Sequence, residues 1–537
     1  MGWTSSIHLH EKTMITENRK DLLWVFMVCL IIMAFGSIPT WEGYRFETST
    51  LRFRGLYFDS QDYAVHIAMM RAGAHGDWAY QLRFTTEPQH PAYIRLFYVV
   101  LGHLSEWLGL APEIMFEAAR WVFGFTALYT LYRLMQQIFQ EIYWARIAFL
   151  IAALGSGLGW LQLLLNWSAG KITPIDFWFI DGYVFFSLSV FPHFAFVTTA
   201  MCLVLSHWLR FLEDQRWMHI FVIGLLVIAV QFVNPIAFAP LDAGLFGAVF
   251  FPWWKAKKIQ IPQVLALLIV AALHLPLLAY NFLVLNRDPL WSQFTAQNQT
   301  LSPPPIYYLL GYALFLPLAI AGIISSLRTK SSTTGVAIFW VGSAFLLAYS
   351  PFSIQRRFLQ NITIPLGILA TFGLQYLVNV ILMRTKSRIP WRHITVGTFL
   401  FLFSLSSIEL SLGRTTYLQT HPKESYYPAS LDAAVAWFRE HAQYNDFVLA
   451  SEPTSQVLAQ KTGMRVYAGH EMETLNYSGK ETGVTAFYAG QLSSLVKAPI
   501  KWVVYGPDEE AINPNFAAPN NLELVYEISE LKIYQVK

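Results

Sequence analysis

In the stretch Tyr57-Phe58-Asp59-Ser60-Gln61-Asp62-Tyr63-Ala64-Val65-His66, the residues Asp59, Asp62 and His66 stand at i, i+3 and i+7. On a helix this spacing puts all three on one face, with the acids at the N-terminal end, where the helix dipole favours negative charge. Such a face could take a proton from a hydroxyl or hold a divalent cation such as Mg or Mn. The plainer alternative makes Asp59 an N-cap and leaves Asp62 and His66 facing water. Far along the chain, the polar turn Ser350-Pro351-Phe352-Ser353-Ile354-Gln355-Arg356-Arg357 interrupts apolar sequence and carries adjacent arginines. Guanidinium groups grip phosphate oxygens bidentately and equally form ion pairs with loop acids, so this turn is a phosphate site or a structural clamp.

Weaker candidates share the same polar loops. His90, beside Pro91, could reach a phosphate, and Glu87 lies in the same turn, Glu87-Pro88-Gln89-His90-Pro91. His193 follows Pro192 at the start of an apolar run; it could orient a substrate oxygen, although a histidine closing a helix end is the commoner arrangement. Asp176 and Asp181 could join a cation site or stand as solvated loop acids. Asn234-Pro235 and Asp242 fall within apolar sequence, where polar side chains are functional candidates by default, with helix-end satisfaction at the proline as the rival explanation. After a β-like run, Gly463 to Thr474 gathers His470, Glu471 and Glu473, which suits acceptor recognition, a metal contact or an ordinary strand-end loop.

What must position these residues is mostly membrane. The 537 residues are 55% hydrophobic and 13% charged, with mean hydropathy +0.40, too apolar for a soluble chain of this length. Apolar runs able to span lie at 22–38, 113–138, 143–166, 192–212, 217–233, 235–253, 262–285, 306–327, 336–349, 358–383 and 394–412, about eleven spans. Basic residues recur at every second connection: Arg19/Lys20, Arg133/Arg146, Arg210/Arg216, Lys255/Lys257/Lys258, Arg328/Lys330 and Arg384/Lys386/Arg388/Arg392. The positive-inside rule then places the N-terminus in the cytoplasm. Run 91–110, interrupted by Arg95, His103 and Glu106, reads as a helix lying at the outer interface. Segments 39–112, 167–191 and 286–305 become the large outer loops.

An odd number of spans leaves the tail outside. The expected organisation is a transmembrane domain over 1–412 and a small extracytoplasmic α/β domain over 413–537. The latter carries an amphipathic stretch at 431–441 and β-like runs at 446–450, 465–468, 502–505 and 523–528. The setting this predicts is a multi-pass protein of a prokaryotic plasma membrane. A net charge of +3 spread over short clusters makes no basic stripe, which excludes nucleic acid as a partner. Cys29 and Cys202 both lie in apolar runs and define no disulfide framework.

The order of an apolar anchor, Asp59 to Tyr63 on a helix, Gly76-Asp77-Trp78, and the Glu87-to-Pro91 turn running into an aromatic interfacial helix resembles the GT-C superfamily of membrane glycosyltransferases. The nearest likeness is to its protein mannosyltransferase and aminoarabinose transferase branch. It covers residues 57–139 and, more loosely, the whole layout. The resemblance implies sugar transfer from a polyprenyl-phosphate donor to a glycan, lipid or protein acceptor at the outer face. By position relative to Tyr63, Asp59 matches the superfamily's first-loop acid, as base or metal ligand, with Asp62 as the second candidate. Those families often follow that acid with Glu or pair it as Asp-x-Asp; Ser60 and Gln61 stand here instead. The resemblance makes Arg356, Arg357 and His90 candidate contacts to the donor phosphate, and His66, His193 and Glu87 candidate substrate contacts.

The chemistry is coherent in its own terms. Displacing phosphate from an anomeric carbon needs a carboxylate to deprotonate the acceptor hydroxyl and cations to carry charge on the leaving phosphate. A transporter or lipid flippase is the competing class. Such proteins place ionisable sites near the midplane and show paired halves, whereas here the polar candidates gather in loops and no internal repeat is visible.

Overall fold

The structure is a computed structural model that describes residues 19–166, 173–327, 331–385, 389–491 and 499–537. The first residues of the 167–191 loop, and Arg328, Lys330, Lys386 and Arg388 of the basic clusters, lie outside the described residues. Helices occupy all eleven apolar segments. Five of them, Arg19–Arg45, Pro192–Asp214, Ile261–Arg287, Thr363–Arg384 and Trp391–Thr420, are long and apolar enough to cross a membrane. Ile142–Leu154, Met218–Gln231 and Ser332–Leu347 are apolar but shorter. Pro112–Ile138 is 27 residues long but carries Glu113, Glu117, Arg120 and Arg133. Its buried Arg120 is paired inside the bundle with Glu117 at 2.6 Å and Ser37 at 3.0 Å.

Two segments expected as continuous spans are broken. The helix Ile142–Leu154 stops before a Gly155–Leu158 break and resumes as Gly159–Leu164. Pro305–Gly311 and Phe315–Ser326 meet at an 80° bend and would together make a sixth crossing helix. The breaks face each other: Leu158 N donates to Leu310 O at 3.1 Å, and a Cβ on Gly157 would lie 2.1 Å from the Gly311 carbonyl oxygen. Asp176 accepts the freed N–H groups of Gly157 at 2.8 Å and Gly159 at 3.2 Å. Unsatisfied backbone is expensive in an apolar interior, so Asp176 is a structural cap and not a solvated loop acid.

The loop after the first helix folds into the helix Ser60–His75, which packs along Leu96–Trp107. The backbones touch through two glycines. A Cβ on Gly73 would meet Val99 O at 2.0 Å, and one on Gly102 would meet Met70 O at 2.0 Å. Only the absence of a side chain allows this approach. Gly102→Leu should therefore force the helices apart at a cost of about 1–3 kcal/mol, seen as a lower thermal midpoint of the solubilised protein. An unchanged midpoint would mean that this contact does not form.

The last long helix runs through Gly413 to Thr420 before the chain enters a five-stranded sheet. The strand order is Arg465–Val466, Phe447–Leu449, Ile500–Tyr505, Leu531–Val536, Leu522–Ile528. The first three are parallel and the last two add an antiparallel hairpin. All four β-like runs and the amphipathic helix Leu431–His441 appear as read from the sequence. Leu531–Val536 and the helices Glu452–Thr462 and Tyr477–Tyr488 were not legible there. This part is fastened to the first loop by antiparallel pairing of Leu51–Phe53 with Tyr426–Pro428. Its main core is continuous with that of the helical bundle.

Candidate active site

The chain turns into the helix Ser60–His75 through two left-handed residues. Gly55 has φ 99° with the Tyr63 ring against its Cα, and Asp59 has φ 53°. Asp59 is the N-cap, accepting the Asp62 N–H at 3.3 Å. The one-face expectation is thus corrected: Asp59 stands just outside the helix, while Asp62 lies in its first turn. The plainer alternative is only half met, because Asp62 is part-buried and bonded to another side chain, and His66 does not face water. His66 is buried, stacked on Tyr98 at 4.0 Å between centroids and edge-on to Phe191 at 4.8 Å.

Asp62 Oδ1 is 3.1 Å from Nε2 of His470, which the loop after the strand Arg465–Val466 supplies. Burial alone would raise the Asp62 carboxyl, but the hydrogen bond from His470, with Arg95 nearby, holds it well below the usual carboxylate range. Asp59 behaves in the opposite way. Crowding by protein and then the neighbouring Asp62 charge push it up to about 7, against the pull of the Asp62 N–H and Arg357. Adjacent acids with separated affinities are the arrangement in which one stays ionised and the other exchanges a proton near neutral pH. Burial, with His193 nearby, pushes His66 far below its ordinary value, so its ring is neutral.

Asp59 also lines a cavity of about 450 Å³, with Arg54, Phe58, Arg414, Tyr417, Lys423 and Glu452 among its walls. Glu452 is held by neutral donors, Gln61 at 2.8 Å and Gln456 at 3.1 Å. Arg54 donates to Gln456 at 3.3 Å, and Arg414 lies over the Phe58 ring at 4.6 Å. Among the described residues none of Arg54, Arg414 and Lys423 has a carboxylate within 4.0 Å.

Within electrostatic reach of Asp59 is the 3-10 turn Gln355–Leu359, which carries both arginines. Arg357 is 3.7 Å from Asp181 Oδ2, too long for a hydrogen bond, so its N–H groups keep their donor capacity. Burial raises the Asp181 carboxyl, and Arg357 and Arg356 pull it back. Arg356 lies over the Trp178 ring at 5.4 Å. The ion-pair reading therefore applies to Arg357 without using up its guanidinium. His193 accepts from or donates to the Tyr98 hydroxyl at 2.7 Å and faces the His66 ring at 5.4 Å.

The structure does not bring every expected residue together. Glu87 is paired with Lys480 at 2.8 Å, and the His90 carbonyl receives the Trp291 indole N–H at 3.4 Å. Among the described residues no contact joins Glu87 or His90 to Asp59, Asp62 or the arginines. Asp242 lies 3.1 Å from His274 and Asn234 donates to Gln360 at 2.7 Å, so these polar groups at depth are paired away from the first-loop acids. Asp59, Asp62 and His66 do not fit a shared cation site, since His66 turns into the aromatic group. Among the described residues no three His, Cys, Asp or Glu side chains are grouped to hold a metal ion.

Two further residues were not foreseen in their roles. Arg95, with φ 55°, is ion-paired to the buried Glu473 and lies near enough to Asp62 to stabilise its charge. Its only sequence signal was a charge inside an apolar run. His470 was visible as a polar loop residue, but its partner is 408 positions away.

No family model and no curated protein matches the chain. Among solved structures, the apo oligosaccharyltransferase of Archaeoglobus fulgidus superposes with a TM-score of 0.53 at 12% identity, over 91% of this chain and 70% of that one. The archaeal oligosaccharyltransferase AglB from Archaeoglobus fulgidus, in complex with an inhibitory peptide and a dolichol-phosphate, gives 0.51 at 13% identity over 91% and 70%. ArnT from Cupriavidus metallidurans, bound to undecaprenyl phosphate, gives 0.50 at 12% identity over 96% and 97%. The chain shares its fold with these solved structures.

Proposed function

We propose that this protein is a membrane glycosyltransferase that moves a sugar from a polyprenyl-phosphate donor to an acceptor hydroxyl, with Asp59 as the base. The observation that carries the reading is the placement of Asp59: a carboxylate that caps the helix beside Asp62, lines the cavity and lies within electrostatic reach of Arg357. The acceptor enters through the cavity and presents its hydroxyl to Asp59. As the acceptor oxygen bonds to the anomeric carbon, its proton passes to the Asp59 carboxylate. The bond from that carbon to the phosphate oxygen breaks, and the electron pair leaves on the lipid phosphate, whose growing charge Arg357 and Arg356 offset.

This reading sets the loop end of the bundle outside the cytoplasm, where the sheet domain and the arginine turn meet the first loop. The opposite end gathers Asp21, Arg146 and Arg392, the last stacked on Tyr143 at 4.0 Å. That is the basic end the positive-inside rule assigns to the cytoplasm. The count of about eleven spans belongs to the same proposal.

The test is direct. Protein in nanodiscs, given polyprenyl-phosphate hexose or pentose donors and a cell-envelope extract, should release free polyprenyl phosphate while sugar appears on the extract. In sealed proteoliposomes, movement of intact donor across the bilayer without its cleavage would replace transfer by transport.

A further inference from the structure

We propose that His470, carried by the C-terminal sheet domain, is a positioning residue that completes the site from outside the helical bundle by holding Asp62 with its Nε2–H. The geometry decides which nitrogen bears the proton. Nδ1 of His470 receives two backbone N–H groups, from Met472 at 3.0 Å and Glu473 at 3.1 Å. A backbone N–H can only donate, so Nδ1 must offer its lone pair. The ring proton is therefore on Nε2 and points at Asp62 Oδ1, 3.1 Å away.

The charged groups around this contact are Asp62 and Asp59 on the first loop, Glu473 beside His470 on its own loop, and Arg95 across from Glu473. The acids by themselves draw the ring toward the imidazolium. That form has no acceptor at Nδ1 and would strand both backbone donors in a buried place, so the neutral tautomer is retained.

The loop is fixed to the first loop by bonds that do not involve the imidazole. Thr474 Oγ1 receives the N–H of Gly469 and of His470, each at 3.2 Å, and donates to Phe84 O at 2.8 Å. Val466 N reaches Arg83 O at 2.8 Å, and the Arg465 guanidinium caps Thr85 O at 3.0 Å. His470 is thereby presented to Asp62 on a rigid support, as a group acting on a site through another residue must be. The sheet domain is on this view part of the catalytic machinery and not an appended module.

Two measurements on the full-length protein in nanodiscs test this. The first is the nitrogen spectrum of protein labelled with 15N-histidine, with His470 assigned as the signal lost in His470→Gln. The expected result is a bare Nδ1 and a protonated Nε2 from pH 5 to 8; a doubly protonated ring or the opposite tautomer would overturn the proposal.

The second rests on the transfer reaction proposed above. His470→Ala should lower kcat by about tenfold with little change in the KM for donor. His470→Gln, whose amide N–H replaces Nε2–H, should restore most of it. Parental kcat in His470→Ala, or equal losses in both variants, would refute the positioning role. If the parent protein transfers no sugar, the functional reading fails while the tautomer measurement still decides this one.

Discussion

Asp59→Asn should abolish most sugar transfer, with kcat reduced by about 10²- to 10⁴-fold and donor affinity kept. Asparagine suits the position in every respect but one. It tolerates the left-handed backbone at φ 53°, and its side-chain oxygen can still cap the Asp62 N–H. What it lacks is the ability to take a proton. The pH dependence follows from the same group. The base works only when ionised, and the Asp59 carboxyl is pushed up to about 7, so kcat/KM of the parent should fall as pH drops through that value. Asp62→Asn removes the neighbouring negative charge and should move this acid limb to lower pH.

Stability should change in the opposite sense to activity. The folded protein holds the Asp59 proton more tightly than the unfolded chain does. Its contribution to stability is therefore full at acid pH and is lost as pH rises from the ordinary carboxylate range through about 7. Asp59→Asn removes that dependence and should melt higher than the parent above neutrality. Retained turnover in Asp59→Asn, or a pH profile unmoved by Asp62→Asn, would remove Asp59 as the base.

How much of this was readable from the chain depended on sequence distance. Helices were legible as apolar runs because lipid imposes a length and forbids unpaired backbone. Their breaks at Gly155–Leu158 and before Phe315 were not, since each is stabilised by the other and by Asp176, a tertiary solution with no local signature. Asp59 and Asp62 were conspicuous together because they are three apart. The division of labour between them was hidden, because it is imposed by His470 from the far end of the chain and by a left-handed cap that spacing alone does not reveal. Glu87 looked like a site residue through its place in a proline turn, yet Lys480, another distant partner, claims its carboxylate. Arg356 and Arg357 stood out as an adjacent cationic pair; that Asp181 would stand beside Arg357 while leaving its donors open could be read only from coordinates.

Arg357→Ala should raise the KM for a polyprenyl-phosphate donor by roughly 100-fold, the value of about 3 kcal/mol for a charge-assisted hydrogen bond at the upper end of its range. Part of any loss would come from Asp181, which is buried and would remain without its nearest cation. Arg357→Lys separates the two effects. Lysine keeps a positive charge beside Asp181 and should preserve the thermal midpoint. It cannot form the two parallel N–H contacts that a guanidinium makes to phosphate, so the donor KM should stay high. Arg356→Ala, which removes a guanidinium lying over Trp178, should raise the donor KM less and leave the midpoint near that of the parent. If Arg357→Lys and Arg357→Ala both bind donor as tightly as the parent, Arg357 is a clamp on Asp181 alone, and the phosphate must be held by some other group.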